Sequence, residues 1–510
     1  MGQFPPIAMV RLRGVRGMDN VTNEKIKMKT KLFATLGFFA TVGLVVSQTS
    51  LQAQTCAINT SSTYQTIDGF GACSAFIDVP MTSAQAATLF GRNNGQIGFS
   101  LWRCKINVNQ DWGCETTNSA FAHQYGAMVL GTPWTPPVSM KSTNSVVGGT
   151  LNTSQYAAYA SYLNLAANTI GLDYVSMQNE PDAHVPYESC FWTGSTMKNW
   201  CATNAPAVGR PIVMPESESF DTSYSDPTLN NSMAASNVTI IAGHIYGGFP
   251  LPLNTNAIAH GKHIWMTEHY NTQGNTDTNM VSTNILCAMY MAWEISECMN
   301  EQMNAYIWWR CYHPAYAYDD LIIGATPNVT GYTVAQYANF IRPGYVKVDA
   351  TYNPSPEVFV TAYKGGGTLV VVAVNTNTLP ASQTFSISGM SVPFMTPTVT
   401  STNLNMAQQP SIPANGGNFT ATLPAQSTTT FVSAPSPILV NALQSNDAFQ
   451  FSFTGSAPLQ YTVLTTTNLS LPLSNWTVAG SATNSGNNNY AFSVPLVANQ
   501  MAQFYCVQVP

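Results

Sequence analysis

Two short stretches set a carboxylate against the end of an apolar run. "YVSMQNEPD", Tyr174 to Asp182, brings Asn179 and Glu180 directly after β-leaning residues, and "HIWMTEHYN", starting at His263, does the same with Glu268. In a chain with only 8% charged residues, such a carboxyl either caps the next helix or is placed to react. Two carboxyls facing each other about 5–5.5 Å apart are what glycosidic cleavage with retention needs. One attacks the anomeric carbon while the other protonates the leaving oxygen. The ionised nucleophile raises its partner's pKa and keeps that partner protonated until attack.

Such a pairing requires the two runs to end on one face of a scaffold. From about Gly69 to Gly344, short apolar runs alternate with longer helical patterns, the mark of repeated βα units. The candidate strands are "GFGACSAF", "FSLWRCKIN", "AMVLGTPWTPP", "LDYVSMQNEP", "PIVMPESESF", "VTIIAGHIYGG", "HIWMTEHYN" and "NAYIWWRCY". Eight buried strands with polar and aromatic residues at their C-terminal ends predict an α/β fold, a (β/α)8 TIM barrel over residues 68–344. Glu180 then ends the fourth strand and Glu268 the seventh, facing each other across the mouth.

Beyond "FIRPGYVKVDAT" the pattern becomes alternating strands with "GGG" and "NGG" turns, which predicts a side β-sandwich over residues 345–432. Residues 54–67 read as an N-terminal strand that joins it. "SAPSP", Ser433 to Pro437, reads as a linker, and residues 438–510 as a small C-terminal all-β domain. There, Trp476, Tyr461 and Tyr490 either line a sugar-binding face or, as aromatic residues of short strands more often do, form core.

The first 53 residues read as an N-terminal extension and secretory signal. Lys25, Lys27, Lys29 and Lys31 precede the apolar run Leu32 to Val46, and Ala53 supplies a small residue for cleavage. That run is short for a membrane span. Removing residues 1–53 takes away seven basic and two acidic residues, leaving eleven basic and 22 acidic, a net charge of −11. Such a balance argues against nucleic acid or an anionic membrane as partner and suits a neutral polysaccharide. Ten cysteines in an exported chain permit disulfides, with Cys104–Cys114 and Cys190–Cys201 as candidates. Cys287 and Cys298 fall on one predicted helix, too far apart to bridge. With no C-x-x-C and no H-E-x-x-H, neither a metal nor another cofactor is expected.

"IDGFG", "SMQNEPD", "WMTEHYN" and "FIRPGYVKVDAT", in this order, resemble glycoside hydrolase family 30, nearest to its bacterial xylanase branch. The resemblance runs from about Thr63 to Val432. It implies a retaining endo-β-1,4-xylanase with Glu180 as general acid/base and Glu268 as nucleophile. It further implies that Asn179 bonds the sugar 2-hydroxyl, that Tyr246 donates to the nucleophile and that Arg103 helps hold Glu268 ionised. Trp112, Trp134 and Tyr270 would be sugar platforms. Of Trp308 and Trp309, strand alternation should bury one and expose the other, here taken as Trp309. Glu216 and Glu218 read as structural or as supporting the site from behind, and the histidines His184, His263 and His313 as structural. Relatives on other β-glycosides, such as β-1,6-glucan or glucosylceramide, and a non-catalytic sugar-binding scaffold are the alternatives. One departure stands out: glucuronoxylan-specific members carry an arginine a few residues past the tryptophan pair, where this chain reads "WWRCYHPAY", with Tyr312 and His313 near that place. Strict uronate dependence is therefore not expected.

Overall fold

The computed structural model describes residues 55–510 except 250, 252, 271–280, 314–317, 435–438, 446–447, 456–458, 487–488, 497–501 and 509–510. The predicted signal segment and most of the predicted linker lie outside the described residues. Strand β1, Cys56–Thr66, is followed by β2 Gly69–Cys73, β3 Leu101–Lys105, β4 Met128–Thr132, β5 Tyr174–Ser176, β6 Ile212–Ser217, β7 Ile240–His244, β8 His263–Glu268 and β9 Ala305–Trp308. Strands β2 to β9 pair in parallel and close into a barrel, and each comes from one of the eight predicted runs. Every residue of β2, β3, β6 and β7 is buried, which is why these strands read as continuous apolar runs rather than alternating ones. The "IDGFG" glycines serve close packing: a Cβ on Gly71 would stand 2.4 Å from the Leu101 carbonyl oxygen.

The outer helices are α1 Ser83–Phe90, α2 Gly113–Gln124, α3 Tyr156–Ile170, α4 Gly194–Thr203, α5 Thr222–Leu229, α6 Ser232–Ser236, α7 Thr255–Ala259, α8 Ile285–Asn300 and α9 Val329–Ala338. Their starts are capped locally. Thr82 and Gln85 form a reciprocal capping box on α1, and Asn284 and Asn328 cap α8 and α9 through their side chains. Inside the barrel, Leu101, Leu130, Val213, Ile240, Trp265, Ala305 and Ile307 fill the lower layer. At its foot Asp68 Oδ2 accepts from Trp265 Nε1 at 2.7 Å and lies 2.6 Å from His263 Nδ1.

The side domain is a curled sheet in which β1 lies between Val346–Ala350, antiparallel, and Ala381–Ser388, parallel. Its far strands fold back so that Phe385, Phe419 and Phe431 stack in the middle at 4.7–5.4 Å. It is fastened to the barrel through α9, where Gln336 Nε2 donates to Thr400 Oγ1 and the Gln336 carbonyl accepts from Thr430. Ser433 and Ala434, assigned to the linker from sequence, finish a strand of this sheet instead.

The C-terminal residues form a four-stranded and a three-stranded sheet. Tyr461 and Tyr490 are core, in edge contact at 4.8 Å, and their cluster with Phe451 and Phe453 runs on into the packing of the main body. Trp476 is half-buried, its indole N–H donating to the Leu471 carbonyl. All ten cysteines are free thiols, so neither candidate bridge forms. Cys201 instead packs its sulfur against Met177, and Cys114 donates to the Ile77 carbonyl.

Candidate active site

Glu268 is the last residue of β8 and reaches the mouth directly. Glu180 differs from the simple strand-end expectation: β5 stops at Ser176, and Glu180 stands four residues further on, in a tight turn. Its φ of +40° is left-handed, as is that of Glu216 at +56°. Such conformations in residues with a side chain cost of order 1–3 kcal/mol and persist only where the surroundings enforce them. Here the Glu180 N–H donates to the Glu216 carbonyl at 3.0 Å and the Asn179 N–H to that of Pro133 at 2.9 Å. Gln178 Nε2 holds the Trp134 carbonyl at 2.7 Å. The turn is thus pinned to β6 and to the segment after β4, and the two glutamates converge.

One ring nitrogen of His244 and one carboxylate oxygen from each of Glu180 and Glu268 lie within 4.8 Å of one another. The cation that serves these carboxylates is Arg103, fully buried at the middle of β3. Its Nε faces Glu216 Oε1 at 3.2 Å, one terminal nitrogen faces Glu268 Oε2 at 2.7 Å, and the other faces Asn179 Oδ1 at 2.7 Å. Tyr246 Oη donates to the remaining Glu268 oxygen at 2.9 Å. His244 Nδ1 sits 2.9 Å from Glu180 Oε1, with its Nε2 turned toward Glu216 at 3.9 Å. Thr132 completes the cradle of Glu216 at 3.0 Å.

Burial and charge pull against each other in this pocket. Burial would raise the Glu216 carboxyl, but Arg103 and His244 outweigh it and hold it down at about 2. Burial would lower the His244 imidazole, yet Glu268, Glu180 and Glu216 reverse that and push it up to about 10. Glu268 is raised by burial, against the pull of His244 and Arg103, with Glu180 adding to the rise. Both Glu268 oxygens are taken by donors, whereas Glu180 meets His244 through Oε1.

Of the other predicted residues, Trp134 lies beside the cluster, its ring 4.8 Å from the Arg103 guanidinium carbon and near Phe76 and Trp309 at 5.2 and 6.0 Å. Trp308 is buried and Trp309 half-buried, as alternation requires. Tyr270 meets Tyr246 edge-on at 6.0 Å. Trp112 is the exception: it is buried, packs on Tyr162 and donates to the Asn107 carbonyl, with no contact to the cluster. Its place at the start of α2 makes it packing rather than platform. Sequence reasoning missed His244 as a member of the cluster, and it left Glu216 between a structural and a supporting role, the second of which its contact with Arg103 fits. For His244 a signal was available, since it stands two residues before Tyr246 and so shares its inward face.

A closed parallel barrel with paired buried carboxylates at the C-terminal ends of its strands defines a glycoside hydrolase of the (β/α)8 class. The chain belongs to glycoside hydrolase family 30, whose members work with retention. It is 35% identical over 399 residues to glucuronoxylanase XynC of Bacillus subtilis strain 168, covering 75% of this chain and 92% of that one. Among solved structures, the family 30 subfamily 8 xylanase Xyn30A of Clostridium acetobutylicum shares 35% identity with a TM-score of 0.69, covering 74% of this chain and 99% of that one. A family 30 endoxylanase of Clostridium papyrosolvens C71 follows at 34% and 0.66, with coverage of 74% and 99%. Putative glucosylceramidase 1 of Caenorhabditis elegans is more distant, 23% identical over 404 residues, covering 64% of this chain and 77% of that one. No family model matches the sequence.

Proposed function

We propose that the protein is a secreted endo-β-1,4-xylanase that cuts internal bonds of xylan by double displacement and does not require a glucuronate side group. The observation that carries the reaction is the convergence of Glu180 and Glu268, with Arg103 and Tyr246 on the two Glu268 oxygens and His244 on Glu180. Glu268 attacks the anomeric carbon as Glu180 passes its proton to the departing glycosidic oxygen. Glu180, now ionised beside the His244 cation, takes a proton from the water that releases the sugar. Asn179, oriented by Arg103, is placed to bond the sugar 2-hydroxyl, a contact that strengthens toward the oxocarbenium-like transition state. Xylan as substrate follows the relatives named above, and secretion follows the basic and apolar N-terminal segment. Sequencing the exported protein, which should begin near Gln54, checks the latter.

Independence from uronate rests on how the cations near the mouth are spent. Arg310 binds Asp319 through two nitrogens, at 2.9 and 3.2 Å, and Asp319 is buried. Gripping a uronate with Arg310 would strand that carboxylate. Lys105 lies on Glu188 at 2.9 Å, and Tyr312 is buried with its hydroxyl on the Val79 carbonyl. A uronate–guanidinium contact, where an enzyme depends on it, is worth a few kcal/mol. Without one, plain xylooligosaccharides should be cut within about tenfold of decorated ones in kcat/KM, a gap of roughly 1.4 kcal/mol. A preference above about a hundredfold for decorated chains would overturn the reading. Turnover of β-1,6-glucan or glucosylceramide in place of xylan would overturn the substrate assignment as a whole.

A further inference from the structure

Behind the catalytic pair stands a second carboxylate cluster that no step of the reaction uses. Glu294 lies on α8 and is fully buried. Its Oε1 accepts from Tyr306 Oη of β9 at 2.5 Å, and its Oε2 lies 2.6 Å from Nδ1 of His269, the residue directly after Glu268. The His269 ring packs on the ring of Tyr246 at 4.9 Å, and the Tyr246 hydroxyl is one of the two donors on the Glu268 carboxylate. The His269 carbonyl also accepts from the Trp309 N–H at 3.0 Å. One buried carboxylate therefore ties together a helix, the strand beside β8, and the residue on which Tyr246 rests.

A carboxylate in a dry interior is expensive unless bonded, and a neutral pair of residues would hold α8 to β9 at less cost. What the carboxyl group adds is a close support: its Oε2 stands 2.6 Å from His269 Nδ1, against the ring on which Tyr246 packs. A nucleophile works only within a fraction of an ångström of its productive place. We propose that Glu294 is a positioning residue for the nucleophile, acting through His269 and Tyr246 without touching substrate. The proposal rests on the assignment of Glu268 as nucleophile made above.

A double-mutant cycle separates this role from mere stabilisation, because residues acting through one another give non-additive effects. Glu294→Gln should lower kcat about tenfold on an aryl β-xyloside or xylobioside, with KM within about twofold of wild type. In a Tyr246→Phe background, where the donor is already gone, the same substitution should cost less than about twofold in kcat. Should Glu294→Gln not fold, His269→Phe, which keeps a ring but loses Nδ1, completes the same cycle with the same expectation. Equal losses in both backgrounds would overturn the proposal, as would a kcat that changes only with the folded fraction. If Glu268→Gln kept wild-type turnover, the catalytic assignment would fail first, and the cycle would then have no nucleophile to report on.

Discussion

At the scale of single residues, the site is a ladder of donors and acceptors in which each glutamate has a different environment. Glu268 meets Arg103 and Tyr246, one through each carboxylate oxygen, and Glu180 meets His244. Glu268→Gln should abolish turnover with no change in thermal midpoint beyond a few degrees, because an amide cannot form the glycosyl-enzyme. Glu180→Gln should lose polymer hydrolysis yet keep measurable cleavage of aryl glycosides, whose leaving groups need little acid help. Near-native activity of both variants on polymer would remove the pair from the mechanism. His244 gives a pH signature. Its folded-state value near 10 exceeds that of a free imidazole, about 6.5, so its stabilisation is complete below the lower value. That contribution shrinks as pH rises and is gone once pH passes 10. Buried tyrosines and thiols add to any alkaline fall, so the informative quantity is a difference. The midpoint gap between wild type and His244→Gln should narrow from pH 6 to pH 10, and a gap that stays constant would mean that His244 is neutral throughout.

At the scale of elements, β8 is held at both ends by different chemistry. Its foot is the Asp68 contact with Trp265 and His263, and its tip is Glu268 in the Arg103–Tyr246 cradle. Asp68→Ala should therefore act on stability alone. It leaves the Trp265 N–H buried without its acceptor, a loss of roughly 1–3 kcal/mol, while kcat of the folded fraction stays within about twofold. A large drop in kcat at unchanged stability would show that the foot transmits strain to the mouth. The contrast also explains what sequence could and could not disclose. Strand β8 was legible because a parallel strand buried at all but its first residue reads as an apolar run with a polar end. Glu180 was legible as a carboxyl set to face Glu268, yet its exact place was not, since β5 is only three residues long and the carboxylate is carried past it by a left-handed residue. Glu216 looked like a strand-end acid in a structural or supporting role, with nothing to say what it supports. Its partner Arg103 is 113 residues away in sequence, and no local pattern announces such a pair.

At the scale of the whole molecule, the C-terminal domain sets the remaining question. Residues 438–510 carry a single formally charged side chain, Asp447, and expose Leu443, Leu469, Leu473 and Val478. From sequence alone the "SAPSP" segment suggested a free appendage, but the strand before it ends inside that segment, and the aromatic cluster of Phe451, Tyr461 and Tyr490 is continuous with the main core. The Gln460 N–H faces Gln408 Oε1 of the side domain at 3.4 Å, and Tyr490 stands near Arg92, on the loop after α1. None of these contacts involves a residue of the Glu180–Glu268 cluster. Removing the domain would uncover apolar surface on the main body at about 25 cal/mol per Å² of area, while the mouth of the barrel is left as it is. Deletion of residues 438–510 should then lower the thermal midpoint by several degrees and leave kcat/KM on soluble xylooligosaccharides within about twofold. Differential scanning calorimetry alongside initial rates on the truncated enzyme reads both quantities. An unchanged midpoint would restore the picture of a free appendage, and a collapse of kcat/KM in fully folded protein would mean that the domain reaches the substrate.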